Sequence, residues 1–247
     1  MGIFGNLFKK KEVLPPFDLG RFKTDMHSHL IPGIDDGSQS MDQTIAMLAK
    51  FESLGYTKVV TTPHIMSDTF PNNKETIEAG LKEVQKEIKK VGIQIEIEAA
   101  AEYYFDETLM PKIKSKELLT FGDNYVLVEF AFHSSPQYLD QLFFELKTHG
   151  YRPVIAHFER YIYYLGKIDK AEEWRTNGIN IQINLNSLFG QYGPDIKKQA
   201  EKLIDAGQFD FVGTDCHRIE HLMFLEEHLS SPYLHKIGKY LVKNMVL

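Results

Sequence analysis

Much that would direct the reading of a 247-residue chain is missing from this one. It has one cysteine, Cys216, which excludes an internal disulfide and any zinc-finger spacing and leaves a reducing, cytoplasmic compartment as the default expectation. No run approaches the roughly 18 apolar residues of a spanning helix. Lys and Arg number 28 against 34 Asp and Glu, a formal net charge of −6, which argues against nucleic acid or an anionic membrane as a generic partner. Gly-rich phosphate loops are absent, and no serine–histidine–acid arrangement competes for the chemistry. The start, Met1-Gly-Ile-Phe-Gly-Asn-Leu-Phe-Lys-Lys-Lys, has its basic residues after its apolar ones, the reverse of a signal peptide. It also lacks the Ser or Thr at position 6 of a myristoylation pattern. Residues 1–22 read as an N-terminal extension. It is either a flexible docking tail or a weak surface anchor, through Ile3, Phe4, Leu7, Phe8 and Lys9 to Lys11, at the inner face of the membrane.

What remains is an ordinary soluble composition, 43% hydrophobic and 25% charged, sufficient for a full core in one domain over 23–247. β-branched, apolar runs predict strands near 23–29, 58–62, 93–101, 125–130, 152–156, 179–185 and 210–214. Helical periodicity lies between them, near 40–54, 74–91, 106–117, 136–149, 169–177 and 194–206, with two more helices after 218. Ser40 with Gln43 reads as a capping box for the first helix, and Gly55 as its stop. Strands alternating with helices indicate a βαβ series with a mostly parallel sheet. In such folds chemistry gathers where strands end and loops begin.

The polar residues that need explaining sit at those ends. His27 and His29 lie two apart at the end of the first strand, and Asp215 and His217 two apart at the end of the last, a spacing that aims each pair to one side of an extended chain. His64 follows Pro63, Glu102 follows a run of alanines, Glu129 lies inside an apolar strand, and His157 is in Ala156-His-Phe-Glu-Arg. Asp36 precedes Gly37 and reads either as a ligand or as a turn residue. An isolated buried histidine or glutamate is readily satisfied by packing or a salt bridge, but this many together favour metal. Nine candidates exceed the four to six ligands of one ion, so a cluster of two or three ions is the economical reading, and closely spaced ions suit phosphate-ester hydrolysis. Arg160, three residues after His157, offers a planar fork to an anionic substrate, or else is a surface arginine paired with Glu159 or another acid. Cys216 reads as packing, His133, His149, His221, His228 and His235 as ordinary residues, and Tyr103, Tyr104, Tyr161, Tyr163 and Tyr164 as either pocket walls or core.

The ordered set Asp25-Met-His-Ser-His, Pro32-Gly-Ile-Asp-Asp-Gly, Thr62-Pro-His, Ala101-Glu-Tyr-Tyr, Val128-Glu-Phe, Ile155-Ala-His-Phe-Glu-Arg-Tyr and Thr214-Asp-Cys-His resembles the polymerase and histidinol phosphatase (PHP) superfamily. More narrowly, it resembles the bacterial protein-tyrosine phosphatases of capsule and exopolysaccharide loci, from about Asp25 to the C-terminal helices. The resemblance implies a distorted (β/α)7 TIM-like barrel with a trinuclear divalent centre that prefers Mn²⁺, with iron, zinc or cobalt as alternatives. By motif, His27, His29, Glu102 and Asp215 would hold the first ion; Glu102, Glu129 and His157 the second; Asp36, His64 and His217 the third. Arg160 would bind the phosphoryl group, and metal-activated hydroxide would hydrolyse protein phosphotyrosine. The implied partner is the tyrosine-rich tail of a membrane-associated bacterial tyrosine kinase. Members of this subfamily often carry basic residues directly after the histidine of the Thr-Pro-His motif; here Ile65-Met66-Ser67-Asp68 follow it. The alternatives are a small-molecule phosphoesterase of histidinol-phosphatase type and a catalytically inactive PHP-like binding module. The oligomeric state stays open.

Overall fold

The apolar runs form parallel ladders, but two of them are broken in the middle. In the computed structural model, which describes residues 14–247, β1 spans Thr24–Asp25, β2 Lys58–Thr61, β3 His64–Ile65, β4 Glu96–Ala99 and β5 Glu102–Tyr104. They are followed by β6 (Tyr125–Glu129), β7 (Arg152–Ile155), β8 (Asn180–Asn184) and β9 (Phe211–Gly213). The stretch from Ile3 to Lys11, read as a tail or anchor, lies outside the described residues.

The breaks have a local cause. Pro63 has no N–H to give to a ladder, so the second expected strand splits into β2 and β3. Its neighbour splits in step: Ala100 N–H still bonds Thr61 O, whereas Glu102 N–H bonds Pro63 O. Two sheets result, β1-β2-β4 and β3-β5-β6-β7-β8-β9, with every registered pair parallel. The expected first strand, 23–29, shrinks to two residues because the chain after Asp25 turns to the far end of the structure. There His29 N–H bonds Cys216 O and Asp215 N–H bonds His27 O, both at 2.8 Å. The parallel sheet is therefore curled, with the segment after β9 lying against the segment after β1.

Helices α1 (Met41–Ser53), α2 (Lys74–Val91), α3 (Leu109–Ser115), α4 (Leu139–Thr148), α5 (Ile168–Thr176), α6 (Pro194–Ala206), α7 (Ile219–Glu227) and α8 (Pro232–Ile237) follow the expected order. The capping reading needs a correction. Ser40 does accept from Gln43 N–H, but the Gln43 side chain bonds Gln39 N–H, so the box is half made. The complete box is Asn73 with Thr76 at the start of α2. α3 starts at Leu109, later than expected, because Asp106 is held in a turn by Thr108.

Strand alternation sorts the core from the site. Val126 and Val128 of β6, like Ile181 and Ile183 of β8, pack outward against helix residues such as Phe51, Leu142 and Leu203. Met26, Val60, Ala100, Leu127, Val154, Ala156 and Phe211, drawn from nearly every strand position, form a second buried cluster. The larger of these side chains, Met26, Val60, Leu127, Val154 and Phe211, each contribute about 1.5–3 kcal/mol by leaving water. Along the Leu127 face of β6 the next residue is Glu129. The same alternation puts Gln182 and Asn184 of β8 on the face opposite Ile181 and Ile183. The inner face thus turns polar at the carboxyl ends of the strands.

Candidate metal centre

All nine side chains expected as ligands meet at that polar end. His27 and His29 follow β1, and Asp36 lies in the loop before α1; His64 and Glu102 open β3 and β5, and Glu129 closes β6. His157 follows β7, and Asp215 and His217 follow β9. Glu102 is central. Its Oε2 lies 3.2 Å from His27 Nε2, 3.4 Å from His29 Nε2 and 3.3 Å from His64 Nδ1, and its Oε1 lies 3.0 Å from His157 Nε2. Asp215 Oδ1 is 3.4 Å from His27 Nε2 and 3.6 Å from His29 Nε2. Glu129 Oε1 is 3.5 Å from His157 Nε2, and Asp36 Oδ1 lies 3.5 and 3.3 Å from the Nε2 atoms of His64 and His217.

These separations fit coordination. Donors bonded to one ion at about 2.1 Å stand about 3.0 Å apart in an octahedron and about 3.4 Å apart in a tetrahedron. The buried atoms His27 Nε2, His29 Nε2, His64 Nδ1 and Glu102 Oε2 have no hydrogen-bond partner, an arrangement that native interiors rarely tolerate without an ion or a water. The donor atoms fall into overlapping groups, among them His27–His29–Glu102, His27–His157–Asp215, His64–Glu102–Glu129 and His29–Asp36–His64–His217. Nitrogen and carboxylate donors of this kind suit divalent manganese, iron, zinc or cobalt.

The outer nitrogens are anchored by residues that sequence reasoning did not single out. Gln182 Oε1 accepts from His157 N–H at 2.7 Å, which fixes the amide, so His27 Nδ1, 3.1 Å away, must be the donor of its bond. Likewise His29 Nδ1 donates to Asp35 Oδ2 at 2.8 Å, and the same carboxylate accepts from the N–H groups of Gly37 and His64. His217 Nδ1 donates to Asp215 O. In each ring the remaining nitrogen, Nε2, is left as a bare acceptor facing the cluster, the tautomer a metal ligand requires. Gln182 Nε2 donates to Asn184 Oδ1, whose Nδ2 donates to Asp215 Oδ2. Asp35 lies in the Pro32-Gly-Ile-Asp-Asp-Gly motif, but no local pattern marks Gln182 or Asn184. The one available signal was a polar face in an otherwise apolar strand.

Strain and charge are concentrated here. His157 and Asp215 both have left-handed backbones, φ +29° and +52°, at strand ends where non-glycine residues rarely adopt them. Burial, joined by the neighbouring Glu102 charge, pushes the Glu129 carboxyl well above its ordinary range. Burial acts the same way on Glu102 and Asp215, but the surrounding histidines override it and hold both well below. Burial and then the Arg160 charge push His157 down to about 4. Carboxylates this crowded and this dry call for compensating cations.

Arg160 supplies one. It sits in the turn Phe158–Arg160 with its guanidinium 4.3 Å from the ring centres of both Phe132 and Tyr192, and Nη1 donates to Asp215 Oδ2 at 2.9 Å. Of the acids the alternative reading allowed, the partner is thus Asp215 and not Glu159, which faces inward and accepts from Asn184 N–H and the Ser187 hydroxyl. The centre opens into a cavity of about 390 Å³ that Arg160, Phe132, Tyr192 and His221 line together. His221, read as ordinary, thus belongs to the site wall, with Nδ1 3.2 Å from Asp215 O. Tyr103 and Tyr161 are core: their hydroxyls accept from Leu119 and Phe130 N–H. Cys216 is buried with Sγ 3.6 Å from Met47 Sδ, as packing requires.

Fold and cluster together define a parallel α/β protein with a candidate divalent-metal centre at the carboxyl ends of its strands. The chain belongs to the family described as capsular polysaccharide synthesis, CpsB/CapC, whose model matches residues 23–245. It is 33% identical over 208 residues to CapC of Staphylococcus aureus, covering 83% of this chain and 81% of that protein. It is 28% identical over 221 residues to the tyrosine-protein phosphatase YwqE of Bacillus subtilis, covering 85% and 87%. Among solved structures, one from a study of YwqE and of CpsB from Streptococcus pneumoniae, described as unique metal-dependent tyrosine phosphatases, superposes with a TM-score of 0.75. That match is at 26% identity over 90% of this chain and 94% of the other.

Proposed function

We propose that the chain is a metal-dependent phosphatase that hydrolyses protein phosphotyrosine. The observation that carries this is the convergence of unpartnered, tautomer-fixed imidazole nitrogens on Glu102 beside the Arg160 guanidinium, in a chain whose relatives are tyrosine-protein phosphatases. We read the two curled sheets as one distorted (β/α)7 barrel, and the centre as trinuclear with Mn²⁺ the preferred ion. His27, His29, Glu102 and Asp215 would hold the first ion, Glu102, Glu129 and His157 the second, and Asp36, His64 and His217 the third. When bound, such ions neutralise phosphate charge and make hydroxide available from water near neutral pH.

The chain's own groups do the rest. Arg160, flattened between Phe132 and Tyr192, has Nη1 held by Asp215, which leaves its other N–H donors to grip the phosphoryl oxygens and take up charge as the bond to the tyrosyl oxygen breaks. The rings on either side keep that guanidinium planar to the cavity and shield it from water. Gln182 and Asn184 hold His27, His157 and Asp215 in register throughout. The proposed substrate is the phosphorylated C-terminal tail of a membrane-associated tyrosine kinase. Among the described residues no helix is long and apolar enough to cross a membrane, and we propose a cytoplasmic protein that meets this tail at the membrane's inner face. Residues 23–247 would form the phosphatase domain.

The test is a paired assay. Protein stripped with chelator and reloaded with Mn²⁺ is offered phosphotyrosine peptides and a panel of phosphorylated metabolites. Metal-dependent release of phosphate from the peptides is expected. A preference for a metabolite by orders of magnitude would replace the reading with a small-molecule phosphoesterase, and no hydrolysis of either class would leave a binding module.

A further inference from the structure

The cavity over the centre does not end at its own walls. Glu129 and Phe132, which line it, also line a second recess of about 420 Å³ bounded by the hairpin at 66–69 and by Tyr104. Asp106 of that recess is in turn part of a third, of about 460 Å³, walled by Phe105, Met110, Pro136 and Tyr138. Sharing lining residues in this order, the three recesses adjoin in a row, a segmented trough from the centre to the start of α4. The hairpin side is pinned: Met66 and Phe70 bond each other through both backbone groups, and Ser67 N–H bonds Asp106 Oδ2 at 2.9 Å. Met66, Ser67, Asp68 and Thr69 give this wall no positive charge.

Tyr138 is the telling residue at the far end. It is the N-cap of α4, makes no capping bond through its side chain, and has a left-handed backbone at φ +62°. The left-handed backbone favours Asn, Asp or Gly over an aromatic residue. The residue is also 73% exposed, so it gains little by burial. Local structure therefore gives no reason for a tyrosine here, and a residue that breaks local rules at the edge of a recess points to binding.

We propose that this trough holds the polypeptide bearing the phosphotyrosine, and that the recess of Phe105, Met110, Pro136 and Tyr138 takes an aromatic or large aliphatic side chain of that same polypeptide, a few residues away. The inference rests on the phosphotyrosine reading above. A small phosphoester fills the first cavity alone; only an extended chain uses the whole trough. Tyr138 is on this account a specificity residue, remote from the reacting atoms.

The test uses Tyr138→Asn, which suits the left-handed backbone better than tyrosine and so should fold at least as well. Mn²⁺-loaded wild type and variant are given free phosphotyrosine and a set of phosphotyrosine peptides in which one tyrosine or leucine is moved along Gly/Ser flanks. Wild type should show a KM minimum at one placement, about fivefold below the rest, the size of a single desolvated aromatic contact. The variant should lose that minimum, treat free phosphotyrosine as wild type does, and melt no lower. Equal KM at all placements in wild type, or a minimum that survives in the variant, overturns the trough while leaving the phosphatase reading intact. Wild type that hydrolyses neither peptide nor free phosphotyrosine overturns both, with the phosphatase reading visibly at fault.

Discussion

Gln182 touches no expected ligand atom on its metal side, yet the arrangement makes the centre depend on it. Its amide oxygen receives His27 Nδ1 and His157 N–H, and its amide nitrogen supports Asn184, which supports Asp215. Three candidate ligands therefore hang from one side chain that is fully buried. Gln182→Met keeps the volume and removes both functions of the amide. Two buried donors lose their acceptor, at about 1–3 kcal/mol each, so metal-free protein should lose about 2–6 kcal/mol of stability. His27 is then free to place its proton on Nε2, the atom aimed at Glu102. Loss of a bond that fixes a ligand's tautomer weakens metal affinity by about 10- to 100-fold, which removes about 1.4–2.7 kcal/mol of metal-dependent stabilisation at saturating ion.

The two effects separate in one experiment. Thermal unfolding is followed with chelator and across a Mn²⁺ titration, for wild type and Gln182→Met, with calorimetric titration giving the affinity directly. A lower midpoint in chelator together with a smaller rise per decade of Mn²⁺ at low concentration is the expected pattern. If the variant melts lower but binds Mn²⁺ as tightly as wild type, Gln182 is merely a core hydrogen-bonding residue and the reasoning about the anchored histidines fails.

Other expectations are as direct. Arg160→Lys retains the charge but not the planar fork or the stack between Phe132 and Tyr192; kcat on phosphotyrosine should fall roughly 10²- to 10³-fold with the metal content, measured by mass spectrometry, unchanged. Glu159 is completely buried, and burial pushes its carboxyl up to about 7 from an unfolded value near 4.5. The native state then keeps a proton that the unfolded chain releases between those values. This stabilisation is full below about pH 4.5 and lost, to about 3 kcal/mol, as pH rises through 7. In chelated protein Glu159→Gln, which still accepts from Asn184 and Ser187, should flatten the pH dependence of denaturant stability across that window; an unchanged slope would contradict the assignment.

Legibility followed the range of the interactions. The runs at 125–129 and 180–184 could be read as strands because β-branched residues alternate there within a single segment. The reach of β1 could not, because its continuation pairs with Cys216 at the other end of the chain. The nine candidate ligands were visible because acids and histidines at strand ends lack a local use. Gln182 and Asn184 were not, since a glutamine at 182 gains meaning only when β8 is laid beside β7 and His27 is folded over it. The capping box went to Ser40 and Gln43 on a matching pattern, whereas Gln43 found a nearer donor and Asn73 with Thr76 closed the real one. Tyr161 and Tyr164, grouped by sequence with possible cavity walls, are drawn instead into the aromatic core around Trp174. The cavity's aromatic walls, Phe132 and Tyr192, come from separate loops and carry no shared signature.

The central claim is that these nine side chains are one metal centre. Crystals grown with Mn²⁺ and measured on both sides of the manganese absorption edge test it with the fewest assumptions. The account predicts three anomalous peaks among His27, His29, Asp36, His64, Glu102, Glu129, His157, Asp215 and His217, with Glu102 bridging two of them and Arg160 bound to none. A map without peaks in this cluster, or with manganese bound elsewhere on the chain, would contradict it.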